Sequence, residues 1–359
     1  MADFYEIDFL QVHSARSGDA IAIRYQTGAN WWVHLVDGGY ESTAPVVANH
    51  IRTRYGTDLI NNIVVTHGDQ DHAEGVGPIL EAFRVERMWM LRPWLYTGIL
   101  LPYFARYSSE QRLAERLRED YSYLATLEEI ANRRGFQIFE PFQGERIGPF
   151  TVLAPTRQRY LQMVINSEKT PQQTAGVGGL LGGLFELAKP IIRKVRAGWG
   201  SEKFSTEDTS TENEMSVVQY ASLNGHSIVL TGDAGRAAMT EAAAYAPQVG
   251  LNLPGVARFQ APHHGGRRNV NSAILDQWLG HVLPSLLPAG SELFTAMISS
   301  AKEDEDHPRK AVLRGLLHRG AKILTTEDSA FWVWGGAAPA RSDYYAMPNV
   351  PYPDEQEED

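Results

Sequence analysis

Short apolar segments separated by turn residues recur along the whole chain, and their spacing predicts a mixed α/β protein. Between residues 5 and 25, apolar and polar positions alternate as they do in half-buried strands. Longer segments rich in Leu, Ala, Glu and Arg have helical spacing instead. Strands are predicted at 5–12, 20–25, 31–36, 63–65, 85–91, 136–139, 150–153, 215–220, 227–230, 256–260, 296–299, 322–325 and 331–334, and helices at 44–55, 77–83, 109–134, 234–246 and 310–318.

Two stretches interrupt this alternation and are predicted to be insertions in one domain that spans residues 1–340. Residues 96–135 predict a helical insertion. Residues 166–212 combine a glycine-rich apolar run, a basic run and an acidic run, and predict a mobile flap. The basic run is compatible with a nucleic-acid path, a cap over a small substrate or a membrane-facing helix. Residues 341–359 are predicted to be an acidic, proline-containing tail, and its last residues, 354–359, are expected to be disordered.

Composition limits the possible chemistry. The chain has 359 residues with 43% hydrophobic composition, enough for a large core. Cysteine is absent, which removes disulfides, thiolate metal ligands and cysteine nucleophiles, so any metal would be held by imidazole and carboxylate.

The net charge of -10 repels a polyanion at long range, and a nucleic-acid substrate would need a local basic path. No segment has the pattern of a signal peptide or a membrane span, which predicts a soluble, cytoplasmic protein.

One polar segment directly after a predicted strand carries four metal-capable side chains. His67, Asp69, Asp71 and His72 follow the β-branched run at 63–65. The first three of these residues are two positions apart, and the last two are adjacent. A tight loop with this spacing can point two side chains at one position and two at a neighbouring position. Because such a group has little structural use in a soluble domain, the loop predicts a metal site.

Two later strands end in similar residues. Asp233 follows Thr231-Gly232, and His263 and His264 follow the strand at 256–260. If these ends meet the first loop, the carboxylate of Asp233 could bridge two cations ~3.5–4 Å apart and so supply hydroxide from a bound water. The alternatives are that Asp233 only caps the next helix and that the histidine pair is structural.

The order of these motifs resembles the metallo-β-lactamase fold, whose signature loop is His-x-His-x-Asp-His followed by a distant Asp and a distant His. Here the loop is His-x-Asp-x-Asp-His. That variant is similar to the soluble hydrolase domain of the competence DNA-uptake channel ComEC and its free-standing relatives. The other segments that carry the resemblance are Asp37-Gly38-Gly39, Leu230-Thr231-Gly232-Asp233-Ala234, Pro262-His263-His264-Gly265 and Asp306-His307-Pro308. The resemblance covers about residues 5 to 335 and implies an αββα sandwich in the α/β class.

The resemblance also implies ligands for one or two divalent ions per chain. One ion would lie among Asp71, His72, Asp233 and one of His263 and His264, and the other among His67, Asp69 and the shared Asp233. Asp69 and Asp71 would take part in catalysis. His307 would protonate a leaving group or bind a phosphate, and Asp37 would orient the loop from behind the ligands.

The sequence departs from the family pattern at one ligand. The third histidine of the fold, expected shortly before the strand of Asp233, is replaced near Asn213 or Ser216. One site is then richer in oxygen ligands, which favours manganese beside zinc.

The predicted function is a metal-dependent phosphodiesterase or nuclease that acts on nucleic acid or a nucleotide through a metal-bound hydroxide. Candidate phosphate contacts are Arg267, Arg268, Arg309 and Lys310, whose alternative role is solvated loop charge. Two other functions stay open, a carboxylic-ester, thioester or lactone hydrolase and a non-catalytic subunit of a multi-protein system.

Overall fold

The computed structural model describes residues 3–170, 193–342 and 347–358. The strands in chain order are β1 (Phe4–Phe9), β2 (Ile21–Thr27), β3 (Asn30–Val36), β4 (Leu59–Val64), β5 (Arg84–Trp89), β6 (Gln137–Phe139), β7 (Arg146–Ile147), β8 (Phe150–Ala154), β9 (Arg193–Arg196), β10 (Val218–Leu223), β11 (His226–Leu230), β12 (Arg258–Gln260), β13 (Phe294–Ile298), β14 (Ala321–Thr325), β15 (Phe331–Gly336) and β16 (Glu355–Glu358). The α-helices are α1 (Ala44–His50), α2 (Gln70–Ala73), α3 (Val76–Ala82), α4 (Thr97–Leu100), α5 (Glu110–Asp120), α6 (Ser122–Arg134), α7 (Arg157–Asn166), α8 (Thr211–Glu214), α9 (Arg236–Tyr245), α10 (Ser272–Leu279) and α11 (Lys310–His318).

Two seven-stranded sheets form the body of the protein. The first has the order β15-β1-β2-β3-β4-β5-β6, and the second has the order β14-β13-β12-β11-β10-β8-β7. Strands β3 to β6 are parallel in the first sheet, as are β11 to β14 in the second, and the remaining pairs are antiparallel. The αββα sandwich in the α/β class is confirmed by this topology.

The core shows how one strand serves two apolar layers. In β11, Ile228 and Leu230 join the hydrophobic cluster that contains both sheets. Val229, between them, joins a second cluster with Met239 of α9 and Trp278 of α10 on the outer face of the second sheet. Side chains of a strand alternate between the two faces, so the helices cover one face and the other sheet covers the opposite one.

The two long helices of the helical insertion begin at a capping residue and end at a glycine. Ser109 caps α5, and its hydroxyl accepts a hydrogen bond from the amide of Arg112. Gly135 ends α6 in the left-handed conformation, which glycine adopts without a Cβ penalty. The helices predicted over 109–134 are confirmed as α5 and α6.

The expectation of a disordered C-terminal tail is wrong for the residues that the structure describes. Strand β16 pairs antiparallel with β9, so acidic residues of the tail lie opposite basic residues of the basic run. The carboxylate of Glu357 accepts hydrogen bonds from the amides of Lys310 and Ala311 at the start of α11. Arg314, fully buried, donates to the carbonyl of Pro353. The tail is thereby attached to the second sheet through α11.

The predicted flap is described only in part. Residues 193–212 contain β9 and the first two residues of α8. The basic residues Arg193, Lys194 and Arg196 belong to the strand that pairs with the tail. The glycine-rich run and Lys189 lie outside the described residues. Within 3–170, 193–342 and 347–358, no helix has both the length and the apolar composition needed to cross a bilayer.

Candidate metal centre

The candidate site forms where strands of both sheets end. In the first sheet, β3 leads to Asp37 and the parallel β4 leads to His67. In the second sheet, β11 leads to Asp233 and the parallel β12 leads to His263 and His264. The carboxyl ends of parallel strands share one edge of a sheet, and ligand sites of α/β proteins lie at that edge. Sequence motifs far apart in the chain therefore meet in space.

One group of four ligand atoms is compact. Oδ1 of Asp233 lies 3.2 Å from Nε2 of His72 and 3.8 Å from Nε2 of His264. Oδ2 of Asp71 lies 3.2 Å from Nε2 of His264 and 3.6 Å from Nε2 of His72. All four ligand atoms lie within 4.8 Å of one another. We call Asp71, His72, His264 and Oδ1 of Asp233 the compact half of the site.

A second group faces the other carboxylate oxygen of the same aspartate. Oδ2 of Asp233 lies 3.8 Å from Nε2 of His263 and 3.9 Å from Nε2 of His67. Oδ2 of Asp69 lies 3.6 Å from Nε2 of His67. Asp69 and His263 are each 28% exposed. We call His67, Asp69, His263 and Oδ2 of Asp233 the open half.

This arrangement answers a question that the sequence left open. His264 joins Asp71 and His72, whereas His263 faces the half that contains His67. Each half therefore has two imidazoles, one carboxylate of its own and one oxygen of Asp233. The open half contains more nitrogen than the sequence predicted, because its second imidazole comes from His263.

The donor set fits a pair of divalent cations. Nε2 of His67, Nε2 of His72 and Oδ1 of Asp233 are buried and have no hydrogen-bond partner among the described residues. Buried polar atoms are nearly always paired, and these atoms converge on the space between the two halves. Imidazole and carboxylate suit Zn²⁺ and Mn²⁺ alike.

Two compact-half histidines are held so that Nε2 faces the site. Nδ1 of His72 donates to Oδ2 of Asp37 over 2.8 Å, which leaves Nε2 as the lone-pair nitrogen. Asp37 also accepts from the amide and the hydroxyl of Thr66. Nδ1 of His264 lies 3.9 Å from Oδ1 of Asp19. The hydrogen bond to Asp37 thus favours the tautomer of His72 that a metal ligand needs, while Asp19 lies behind His264 beyond hydrogen-bond distance.

The open-half histidines have neutral partners. Nδ1 of His67 lies 3.1 Å from the hydroxyl of Thr66 and 3.3 Å from that of Ser216. Nδ1 of His263 lies 3.1 Å from Oδ1 of Asn269 and 2.8 Å from the amide group of Asn213. Ser216 also accepts a hydrogen bond from the amide of Asp233. Ser216 and Asn213 therefore lie behind the open-half ligands.

Asp19 is a residue of the site that the sequence prediction missed. Its carboxylate is buried, accepts a hydrogen bond from Nε2 of Gln260 and lies 3.9 Å from Nδ1 of His72. The signal was topological: Asp19 precedes β2, and β2 runs antiparallel to β3, so the start of β2 lies at the same edge as Asp37. Burial raises the pKa of Asp19 despite the neighbouring histidines His72 and His264.

Backbone strain is concentrated at these residues. Asp37, His263 and His264 have φ angles of 57°, 50° and 54°, a region that non-glycine residues rarely adopt. Strain of this kind is retained where a site over-determines the conformation. Gly18 has a related role, since a Cβ there would lie 2.7 Å from the carbonyl oxygen of Asp71. The loop of Asp19 can therefore approach the ligand loop closely.

Burial and neighbouring charges shift the pKa values of the histidines and aspartates of the site. Burial alone would raise the pKa of Asp233, but His72, His263 and His264 hold it well below the usual value. Burial lowers the pKa of His263 to about 4. Burial also acts to lower the pKa of His264, yet Asp233 and Asp71 raise it to about 9. The carboxylates thus favour positive charge in the compact half, which a bound cation would supply directly.

His307 lies at the edge of the open half. Its ring stacks on His263 with centroids 5.0 Å apart, and its Nδ1 lies 3.2 Å from Oδ2 of Asp304. The same oxygen accepts from the hydroxyl of Ser17 over 2.6 Å, and Oδ1 accepts from the amide of Asp306. Burial would raise the pKa of Asp304, but the hydrogen bonds from His307 and Ser17 hold it below its usual value. Asp304, which the sequence did not single out, fixes the ring of His307.

Three of the four predicted phosphate contacts already face carboxylates. Arg268 pairs with Glu207, Arg309 with Asp306, and Nζ of Lys310 lies 3.9 Å from Glu355. Arg267 is 9% exposed, and its carbonyl accepts from Ser205. Contact of these four side chains with a substrate stays a prediction.

An apolar cavity of about 10 Å³, the size of about one water molecule, adjoins His67. It is lined mainly by aliphatic and aromatic side chains, and Glu212 is its carboxylate. The other lining side chains include Leu91, Tyr121, Leu124 and Met215. The surroundings of His67 on this side of the open half are therefore apolar.

Three solved structures are similar to this chain, although no family model matches it and the comparison with curated proteins finds no relative. The metallo-β-lactamase fold protein YhfI from Bacillus subtilis is 11% identical over 93% of this chain and 100% of that chain, with a TM-score of 0.41. A diphosphatase from the PhnP family is 11% identical over 93% and 99%, with a TM-score of 0.37. The hydrolase AbOPH of the β-lactamase superfamily is 14% identical, with a TM-score of 0.30, and the match spans 60% of this chain and 56% of that one. None of the three is named as a competence protein, so the resemblance to ComEC stays a prediction.

Proposed function

We propose that this chain is a metal-dependent hydrolase of phosphodiesters in nucleic acid or nucleotides. The observation that carries the proposal is the carboxylate of Asp233, whose two oxygens face two ligand groups of the same composition. A carboxylate between two such groups is the arrangement of two-metal hydrolytic sites. Two divalent ions, manganese or zinc, would be held by the compact half and the open half. When bound, they would supply hydroxide at neutral pH and stabilise negative charge on the phosphoryl oxygens.

The chain's own residues would position the ligands and handle the leaving group. Asp37 fixes the ring of His72 from behind, so that its Nε2 faces the site. His307 lies at the rim, and because Asp304 accepts from its Nδ1, its Nε2 is left for a substrate oxygen. In the proposed reaction, His307 donates a proton to the departing ester oxygen.

The test combines metal analysis with a substrate panel. We expect the purified protein, after loading with manganese or zinc, to hold up to two ions per chain and to cleave single-stranded DNA, RNA, a cyclic nucleotide or bis(p-nitrophenyl) phosphate. Asp233→Asn should lose cleavage, by ~10²-fold or more, together with metal binding in both halves. The matched control is Asp276→Asn, an aspartate that pairs with Arg319 away from the site. Full activity in Asp233→Asn, or in metal-stripped protein, would contradict the proposal.

A second function is favoured by one observation. The side chains beside His67 are mainly aliphatic and aromatic, and such a surface would contact the acyl group of a carboxylic ester, thioester or lactone more favourably than a phosphate. Such substrates belong in the same panel, for example p-nitrophenyl acetate and a short lactone. Turnover of these substrates without cleavage of any phosphodiester would favour the second function. A protein that retains no metal after mild purification and cleaves neither class would instead be a non-catalytic subunit.

A further inference from the structure

Lys169 contacts the open half from outside the ligand set. Its Nζ lies 2.5 Å from Oδ1 of Asp69. The other oxygen of the same carboxylate, Oδ2, faces Nε2 of His67 at 3.6 Å. The two oxygens of Asp69 thus have different roles. Oδ2 can bind a cation in the open half while Oδ1 keeps its contact with Lys169.

The backbone that presents Lys169 is firmly held. The hydroxyl of Thr170, a buried residue, donates to the carbonyls of Val164 and Ser167 over 2.8 and 2.9 Å. The amide of Lys169 donates to the hydroxyl of Ser167, which in turn contacts Glu212. The turn at the end of α7 is therefore fixed, while the lysine side chain itself remains 41% exposed.

A structural role explains this lysine poorly. An ion pair as exposed as this one contributes about 0–1 kcal/mol to stability. An ammonium group has three N–H donors, and one donor suffices for the contact with Asp69. Among the described residues Asp69 is the acceptor for Nζ, and the two further donors can serve a ligand that approaches the open half.

The charge balance of the site also indicates a role for Lys169 in binding an anion. Five carboxylates lie in or directly behind the ligand set, one more negative charge than two divalent ions neutralise. Lys169 supplies a further positive charge at the rim, where an anionic substrate would otherwise meet net negative charge. The five residues are Asp19, Asp37, Asp69, Asp71 and Asp233.

We propose that Lys169 binds a non-bridging phosphate oxygen of the substrate beside the open half, and so selects anionic over neutral esters. The proposal rests on the proposed phosphodiesterase function for its substrate, but the contact itself requires only a phosphate anion. Lys169 acts in binding and not in proton transfer. Its removal therefore weakens anion affinity and leaves metal binding intact.

The experiment measures phosphate binding separately from turnover. Inorganic phosphate is titrated calorimetrically into the manganese-loaded protein, and metal affinity is measured on the same preparations. We expect Lys169→Gln to raise the Kd for phosphate and the KM for bis(p-nitrophenyl) phosphate about tenfold, with kcat and metal stoichiometry little changed. Lys169→Arg should restore most of the affinity, because the positive charge remains. KM for p-nitrophenyl acetate, if this neutral ester is cleaved, should not change.

Lys302→Gln is the matched control. Lys302 also pairs with an aspartate, Nζ lying 2.7 Å from Oδ1 of Asp328, but both side chains are exposed and Asp328 is not in the ligand set. An unchanged phosphate Kd in Lys169→Gln would overturn the inference, as would an equal loss in Lys302→Gln. Loss of metal together with phosphate would overturn it too, because Lys169 would then support the ligands.

The inference and the proposed function can fail separately. If the wild-type protein cleaves no phosphodiester but Lys169→Gln still weakens phosphate binding, the phosphodiesterase function fails and the anion contact stands. If phosphodiesters are cleaved and Lys169→Gln matches the wild type, the inference fails and the function stands. Competition by a mononucleotide and by a short single-stranded DNA then distinguishes a terminal phosphate from an internal phosphodiester as the bound group.

Discussion

The Nδ1 atom of His72 lies 2.8 Å from Oδ2 of Asp37, and both side chains are completely buried. The carboxylate accepts the ring N–H of Nδ1, so Nε2, which faces Asp233, is the nitrogen that can bind a cation. A carboxylate behind an imidazole fixes the ring and raises its basicity as a ligand. Asp37 acts on the compact half through His72, and its contact with the hydroxyl of Thr66 links it to His67 of the open half.

Asp37→Asn is therefore expected to weaken metal binding without unfolding the protein. Asparagine keeps an oxygen for the amide of Thr66, but its NH₂ group cannot accept the N–H of His72. Loss of such a partner costs roughly 10- to 100-fold in metal affinity. Isothermal titration with Mn²⁺ or Zn²⁺ measures this, and circular dichroism checks the fold. The control is Asp58→Asn on the exposed pair with Arg52. Equal metal affinity in Asp37→Asn and the wild type would refute the role of Asp37.

Asp304→Asn tests how the position of His307 is set. An asparagine can still accept from Ser17, but its hold on the imidazole is weaker because the charge is lost. If His307 protonates the leaving group, kcat should fall roughly 10- to 100-fold for a poor leaving group such as an alkoxide and much less for p-nitrophenolate. KM should change little.

The control for this comparison is Glu303→Gln, an exposed neighbour in the same loop. Equal losses on good and poor leaving groups would show that Asp304 is only structural. His307→Gln should show the same leaving-group dependence, and the double variant should be no worse than His307→Gln alone, because the two residues act as a unit.

The sequence singles out the loop of candidate ligands because the signal for that loop is local. His67, Asp69, Asp71 and His72 follow an apolar strand within a few residues, and a strand end needs no tertiary information to be recognised. Asp233 and the histidine pair have the same kind of signal. The topology then brings these ends together, as parallel order in both sheets requires.

The rest of the site depends on distant contacts that no local pattern records. Asp19 lies before its strand, and Lys169 follows a helix that the prediction omitted, so neither position carried a metal-like pattern. The assignment of His263 and His264 to opposite halves follows from left-handed backbone at both residues. Spacing alone gives no information about such a turn. Charge composition was misleading for the tail, since its acidic residues pair with β9 and cap α11.

Glu357 should stabilise the protein as the cap of α11. Both carboxylate oxygens accept from the first amides of the helix, the amides of Lys310 and Ala311. Glu357→Ala removes both contacts, and loss of a helix cap costs about 1–2 kcal/mol. Urea denaturation at neutral pH measures the change in the free energy of unfolding. Glu355→Ala, at a half-exposed position of the same strand, should have a much smaller effect. Equal effects of the two variants would mean that strand pairing, and not capping, attaches the tail.

The buried side chain of His34 should make the folded protein less stable as the pH falls, independently of the metal site. The residue is fully buried in β3, its ring lies 4.9 Å from that of Phe150, and neither ring nitrogen has a hydrogen-bond partner among the described residues. Burial lowers the pKa of His34 to about 3, against 6.5 for the exposed group. In the pH window between these values the unfolded chain binds a proton at this position and the folded chain does not, so folding is progressively disfavoured as the pH falls.

The expected size is up to about 1.4 kcal/mol of unfolding free energy for each pH unit below the pKa of the unfolded histidine. His34→Phe removes the titrating group and keeps a ring against Phe150. Urea midpoints measured from neutral pH downwards should therefore fall less steeply for His34→Phe than for the wild type. Above pH 6.5 the urea midpoints of the two proteins should change with pH to the same extent. His281→Gln, at a 90% exposed position, should keep the wild-type slope. Parallel curves for His34→Phe and the wild type across this window would mean that the buried ring is protonated in the folded protein.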